Sequence, residues 1–111
     1  MKSIYRLKKN YQYNYVYKHA LSVADKNFIL LYCTSNVKLS KVGFSVSKKY
    51  GKAVHRNRIR RQLKAAVSTL MPNAKDGFNA VIIPRRNVAY DFAEISASVN
   101  SLFEKAGLMK E

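Results

Sequence analysis

Apolar positions recur along this chain at two spacings, one helical and one alternating, and these divide it into elements. Phe92, Ile95, Val99, Leu102, Phe103 and Ala106 form one stripe at helical spacing. Asp91 with Glu94 makes a capping-box-like start for that helix and Gly107 supplies its stop, so a structural role is expected. Upstream, Ile59, Leu63, Ala66, Val67 and Leu70 share one face at about 100° per residue, which predicts a helix packed on a sheet. The strand signals are equally distinct. ALSVA (20–24), the turn-like Asp25-Lys26-Asn27 and FILLYCTS (28–35) read as a hairpin. KVGFSVS (41–47) alternates, with Val42, Phe44 and Val46 on one face and Gly43, Ser45 and Ser47 on the other. Side chains that small let something approach the sheet closely. NAVIIP (79–84) is nearly all apolar, as a strand buried on both faces should be.

One segment fits both periods. YQYNYVY (11–17) alternates aromatic and polar residues like a half-buried strand. It also follows a plausible cap, Asn10, and sets Tyr13, Val16, Tyr17 and Ala20 at i, i+3, i+4 and i+7 of a helix. The 111 residues form one domain, with a core for two layers and no internal repeat or Pro-rich linker.

Charge changes the picture most. The chain carries 21 Lys and Arg against 6 acids, a formal net charge of +15. Twelve of the basic residues lie between Lys26 and Lys75, where there is no carboxylate. Arg56, Arg58, Arg60 and Arg61 are crowded onto the second helix. Asn57, Arg61, Lys64 and Ser68 make a stripe roughly opposite its apolar face, Arg58 and Arg60 project to either side, and Arg56 sits nearer the apolar border. Gly51 allows a sharp turn into this helix, and Lys48, Lys49 and Lys52 add positive charge at its N-terminal end. A helix N-terminus already favours anions, so cations there oppose the dipole and point to phosphate as the intended neighbour. A solvated charged face would alternate signs; this one does not. Nucleic acid is the expected partner.

Catalytic chemistry is hard to assemble from the remainder. There is no Gly-rich phosphate loop, nucleophile elbow or paired-carboxylate arrangement, and His19 and His55 lack partners at a useful spacing. Cys33 is the single cysteine, which excludes an intramolecular disulfide and a cysteine metal site and suits a reducing compartment. The basic N-terminus has no apolar core of signal-peptide length and no apolar run reaches about 18 residues, so a cytoplasmic protein off the membrane is expected.

The segment KVGFSVSKKYGKAVHRNRIRRQL (41–63) closely resembles the protein subunit of bacterial ribonuclease P. The likeness extends to RLKKN, to the spaced aromatics followed by KH, to the strand beginning FIL and to the apolar strand before the last helix. The resemblance implies an α+β fold, a two-layer α/β sandwich of order αβββαβα. In it an N-terminal helix and a four-stranded sheet form a cleft, and the arginine helix makes a left-handed β-α-β crossover. It also implies a ribonucleoprotein endoribonuclease whose RNA subunit is the catalyst, with Mg ions held mainly by that RNA and the substrate, removing the 5′ leader of precursor tRNA. Carried over by position, Arg56, Asn57, Arg58, Arg60, Arg61 and Lys64 face the catalytic RNA, and Lys48, Lys49 and Lys52 extend that surface. One protein per RNA is implied.

By the same resemblance Tyr13 and Tyr17 line the leader-binding cleft, which favours a helix over residues 11–17. Where relatives often carry a tyrosine after F-[IV]-L, this chain has Leu31, with Tyr32 one place on. Either the strand is bulged or an apolar contact replaces a stacking one. Two other readings share the charge and size: a structural RNA-binding protein of ribosomal type, and a DNA-binding helix-turn-helix, which would need a helix where residues 41–47 read as a strand.

Overall fold

In the computed structural model, which describes residues 5–85 and 91–110, the chain runs α1 (Asn10–His19), β1 (Leu21–Ala24), β2 (Phe28–Thr34), β3 (Lys41–Phe44), α2 (Ala53–Leu70), β4 (Phe78–Pro84) and α3 (Phe92–Lys105). Short 3-10 turns at Lys48–Tyr50 and Met71–Asn73 bracket α2. The order is the expected αβββαβα. Residues 1–4, 86–90 and 111 are outside the described residues, and with them the first part of the basic N-terminal segment and one acid, Glu111.

The sheet order is β1-β2-β4-β3. β2 pairs antiparallel with both β1 and β4, while β3 and β4 lie side by side and parallel, joined through α2. A parallel pair needs a crossover, and the apolar face of α2 provides its packing. That face is Ile59, Leu63, Ala66, Val67 and Leu70, all buried, as the periodicity predicts. With Phe28, Leu30, Val42, Ile82, Ile95, Leu102 and Phe103 they make the main core on the face shared with α3. Phe78 and Phe103 meet edge to face, 6.1 Å between centroids.

β4 is buried on both faces because α1 occupies the other one. Val16 of α1, Leu7 and Val81 form a second small core there, flanked by Tyr13, Ala20, Leu31, Cys33 and Ile83. Alternation along β4 thus sends Ile82 into one core and Val81 into the other. Residues 11–17 are helical, and the strand-like alternation is overruled by burial of Val16 at the centre of the turn facing the sheet.

Four local expectations change. Helix α1 has Lys9 as its N-cap and Asn10 as its first residue; Gln12 Oε1 reaches back to accept from the backbone N–H groups of Lys8 and Lys9. β3 ends at Phe44, after which Ser45 N–H donates to Ile82 O and the chain leaves for the 3-10 turn, although Val46 still enters the core. Gly51 is nearly extended (φ 158°, ψ −168°), an open joint where a sharp turn was expected. Phe92 is 45% exposed, and its place on the buried face of α3 is taken by Ser98, whose Oγ accepts from Asn27 Nδ2 at 2.7 Å. Asn27 in the hairpin turn is buried, so the hydroxyl satisfies a donor that a methyl group could not. At the end of α3, Gly107 adopts φ 72° and Leu108 N–H closes onto Phe103 O, an arrangement for which glycine is suited.

Candidate nucleic-acid interface

The outer face of α2 holds its basic side chains without internal counterions. Lys52 is the N-cap and makes no side-chain capping bond among the described residues; the first turn contains no acid. Arg58, Arg61 and Asn57 are exposed, as are Lys48, Lys49 and Lys52 on the approach, while Arg60 and Lys64 are half-buried. Arg56 is also half-buried at the border of the apolar face, and its Nε is enclosed with no hydrogen-bond partner. Among the described residues one ion pair forms, Lys26 with Glu94 at 3.8 Å, between β1 and β2 on one side and α3 on the other. None of the α2 cations takes part in it.

Arg60 folds back over the end of β3. Its Nη1 lies 3.4 Å from Asn57 Oδ1 and its Nη2 3.5 Å from Val46 O, both at the long limit for such bonds. Lys64 is held below its ordinary value by burial and then by the neighbouring Arg6 and Arg60. Arg58 acts on the partly buried Tyr50, whose phenol burial pushes up and the guanidinium draws down.

The second surface lies where α1 crosses the sheet. Tyr13 is half-buried with its ring directly over Gly43, where a Cβ would come within 2.5 Å of the phenol oxygen. The small face expected on β3 is therefore a seat for the chain's own tyrosine. The Tyr13 hydroxyl accepts from Phe44 N–H at 3.3 Å and donates to Leu7 O at 3.5 Å. Burial pushes this phenol up, opposed by the Phe44 hydrogen bond. Tyr17, 47% exposed, stands beside it with ring centroids 6.3 Å apart. Leu31 joins the same side: β2 pairs with β4 without interruption from Phe28 to Thr34, so there is no bulge, and alternation turns Leu31 toward α1 and Tyr32 toward the main core. Tyr13, Tyr17 and Leu31 thus share one side of the sheet.

The opposite flank of α1 carries aromatics of its own. The Tyr15 and His19 rings meet at 4.3 Å, tilted by 38°, and line a pocket of about 230 Å³ together with Leu21, Tyr32, Cys33 and Thr34. Cys33 is unbridged, and burial raises its thiol. The described residues contain no group of three or more His, Cys, Asp or Glu placed to hold a metal ion. No helix among them is long and apolar enough to cross a membrane. Sequence reasoning missed Arg6, which runs parallel to Val42 along the outer edge of β3, with Leu7 N–H donating to Val42 O at 3.2 Å. Nothing in its spacing relates it to Arg60 or Lys64; only the sheet edge does.

Comparison with known proteins agrees with this architecture. The Ribonuclease P family model matches residues 1–107. The ribonuclease P protein component of Thermoanaerobacter sp. (strain X514) is 36% identical over 108 residues, covering 96% of this chain and 93% of that protein. The corresponding protein of Clostridium kluyveri is 39% identical over 111 residues, covering 96% and 98%. The solved RNase P protein of Staphylococcus aureus superposes with a TM-score of 0.87 at 28% identity, covering 96% of this chain and 98% of that one. That of Thermotoga maritima gives 0.82 at 24% identity over 90% and 96%, a likeness of fold. Matched over nearly its full length in sequence and in fold, the chain belongs to the ribonuclease P protein family.

Proposed function

We propose that this chain acts as the protein subunit of a cytoplasmic ribonuclease P ribonucleoprotein, one protein per RNA, assisting Mg-dependent removal of the 5′ leader from precursor tRNA. The observation that carries this reading is the α2 face of Arg58, Arg60, Arg61 and Lys64, which no carboxylate among the described residues neutralises. A polyanion seated there supplies the missing charge and releases its counterions. Lys48, Lys49, Lys52, Arg56 and Asn57 extend the same surface along the N-terminal end of the helix. In this reading the catalytic RNA docks on α2, while the leader lies unpaired along Tyr13, Tyr17 and Leu31, where aromatic and apolar contacts tolerate most base sequences.

The chain's own contribution is binding and positioning. In this reading RNA and substrate phosphates hold the Mg and the RNA supplies the groups that cleave; among the described residues no group of three or more His, Cys, Asp or Glu is placed to hold a metal ion. By covering phosphates with guanidinium groups the protein lowers the divalent ion needed to hold RNA and leader together. Reconstitution tests the proposal: the chain is added to the catalytic RNA of its own source at low Mg with a leader-bearing precursor tRNA. Cleavage at the mature 5′ end, dependent on the chain, is the expected result. Tight RNA binding with no gain in cleavage would instead assign the protein to a structural role of ribosomal type.

A further inference from the structure

The sheet has a notch at the foot of β1. That strand begins at Leu21, opposite Tyr32, whereas β2 continues through Cys33 and Thr34, which pair with β4 on one side and have no β1 residue on the other. The C-terminal half of α1 overhangs this step with Tyr15 and His19, and Leu21, Tyr32, Cys33 and Thr34 complete the walls of a space of about 230 Å³. The notch is separate from the cleft of Tyr13 and Tyr17. At about 100° per residue, those two rings fall about 60° and 100° to one side of Val16, and Tyr15 and His19 fall about 100° and 60° to the other.

Its chemistry suits a flat, uncharged ligand with a polar edge. The two tilted rings supply one wall, and Tyr15 and Leu21, 52% and 67% exposed, leave apolar surface open to water at the mouth. Among the described residues no Lys, Arg, Asp or Glu lines the space, so a phosphate or an ammonium group has nothing to pair with inside. The Thr34 hydroxyl, the Cys33 thiol and the His19 ring offer the donors and acceptors that the edge of a heterocycle needs. The volume is below the roughly 300–1,000 Å³ of sites that enclose a drug-sized ligand, so one ring system enters and a whole nucleotide does not. Outside, Lys18 is exposed in the same last turn as His19 and the chain carries +15 overall, which favours a ring that arrives attached to phosphate. We propose that the notch is a second nucleic-acid site, taking one purine base turned out of a folded RNA, with its face on Tyr15 and His19 and its edge on Thr34 and Cys33. The site rests on the reading above that the chain binds RNA. It gives α1 two working flanks: the leader lies along one, and a single base of the structured RNA anchors the other.

The test follows alkylation of Cys33, the chain's single cysteine, by iodoacetamide in the whole protein. Burial raises this thiol, so the reaction is run at mildly alkaline pH. The probes are an RNA hairpin with one bulged adenosine, the same hairpin with a bulged uridine, the fully paired hairpin, and adenosine 5′-monophosphate. The adenosine bulge should slow alkylation about tenfold at saturation and bind about tenfold more tightly than the paired hairpin, in the range of one base stacked on an aromatic ring. The uridine bulge should do less, the mononucleotide should protect only at far higher concentration, and the paired hairpin should bind through charge and leave Cys33 reactive. Tyr15→Ala should abolish the preference for the bulge and Tyr15→Phe should keep it. Tyr17→Ala, on the other flank, should not alter that preference. Tyr15 is exposed, so the fold should survive its replacement. Equal protection by bulged and paired hairpins, or a bulge preference that persists in Tyr15→Ala, overturns the site. A uridine bulge as effective as adenosine overturns the assignment to a purine, and a mononucleotide as effective as the bulged hairpin overturns the assignment to folded RNA. Bulge-dependent protection in a protein that fails reconstitution leaves the notch standing and removes the ribonuclease P role alone.

Discussion

Helices α2 and α3 pack against each other on one face of the same sheet, and each buries five residues there. Their ends follow opposite electrostatic rules. α3 begins on Asp91, whose Oδ1 accepts from Glu94 N–H at 2.8 Å, carries Glu94 in its first turn and Lys105 in its last. Each of these groups complements the helix dipole. α2 begins on Lys52, has no acid in its first turn and no basic residue in its last. Its cations crowd the end where the dipole already favours anions. Packing alone therefore explains α3 completely, whereas α2 is finished only when something negative lies on it.

The two helices should respond differently to experiment, most strongly to salt. If about six phosphates are contacted, RNA affinity should fall on the order of a thousandfold between about 50 and 200 mM salt, measured by filter binding; a nearly flat profile would make α2 no different from α3. Phe103→Ala, on the buried face of α3, should cost about 3–5 kcal/mol of stability in urea denaturation, with no change in the salt slope of whatever protein remains folded. Arg58→Ala with Arg61→Ala should do the reverse. The slope drops by about 1.8 while circular dichroism and melting temperature hold or improve, since two repelling exposed charges are gone. A loss of fold in that double variant would mean that the arginines support the helix itself.

Smaller effects sharpen the contrast at the caps. Asp91→Ala should cost about 1 kcal/mol, whereas Lys52→Asp should stabilise the free protein by a few tenths to about 1 kcal/mol and weaken RNA binding. The smallest effect concerns pH. Lys64 is depressed in the folded chain, which therefore holds that proton less tightly than the unfolded chain does. Stability is thus reduced while the ammonium is charged in both states and recovers as pH rises through the folded pKa toward the unfolded value of about 10.4. Relative to Lys64→Gln, the parent's urea midpoint should rise slightly over this range, a comparison that cancels the opposite contributions of the raised Cys33 thiol, ordinarily at 9.0, and of the Tyr13 and Tyr50 phenols, ordinarily at 10.0.

Much of this molecule is legible along the chain because amphipathic helices and strands are set by local periods. Ile59, Leu63, Ala66, Val67 and Leu70 can be placed on one face from spacing alone, and the charged stripe follows as its complement. The segment 11–17 is the counterexample: its alternation and its helical spacing are both real, and burial of Val16 against Val81 decides between them. Phe92 departs from its expected burial, and Ser98 takes a place that no spacing marks, for a related reason. Hydrophobicity assigns Phe92 to the core, but the turn it occupies lies at the rim, while Ser98 faces the buried amide of Asn27, 71 positions away.

From the sequence alone came the elements after residue 20 and their order, the inward face of each of the two later helices and the unbalanced positive charge that selects a nucleic-acid partner. Those features depend on neighbours within a turn or two, or on composition. The tertiary structure alone decided that Gly43 is roofed by Tyr13, that Leu31 and not Tyr32 faces α1, and that Arg6 lies beside Val42 along β3. These depend on the strand order β1-β2-β4-β3 and on the side of the sheet from which each helix approaches, and contacts of that range leave no period in the chain.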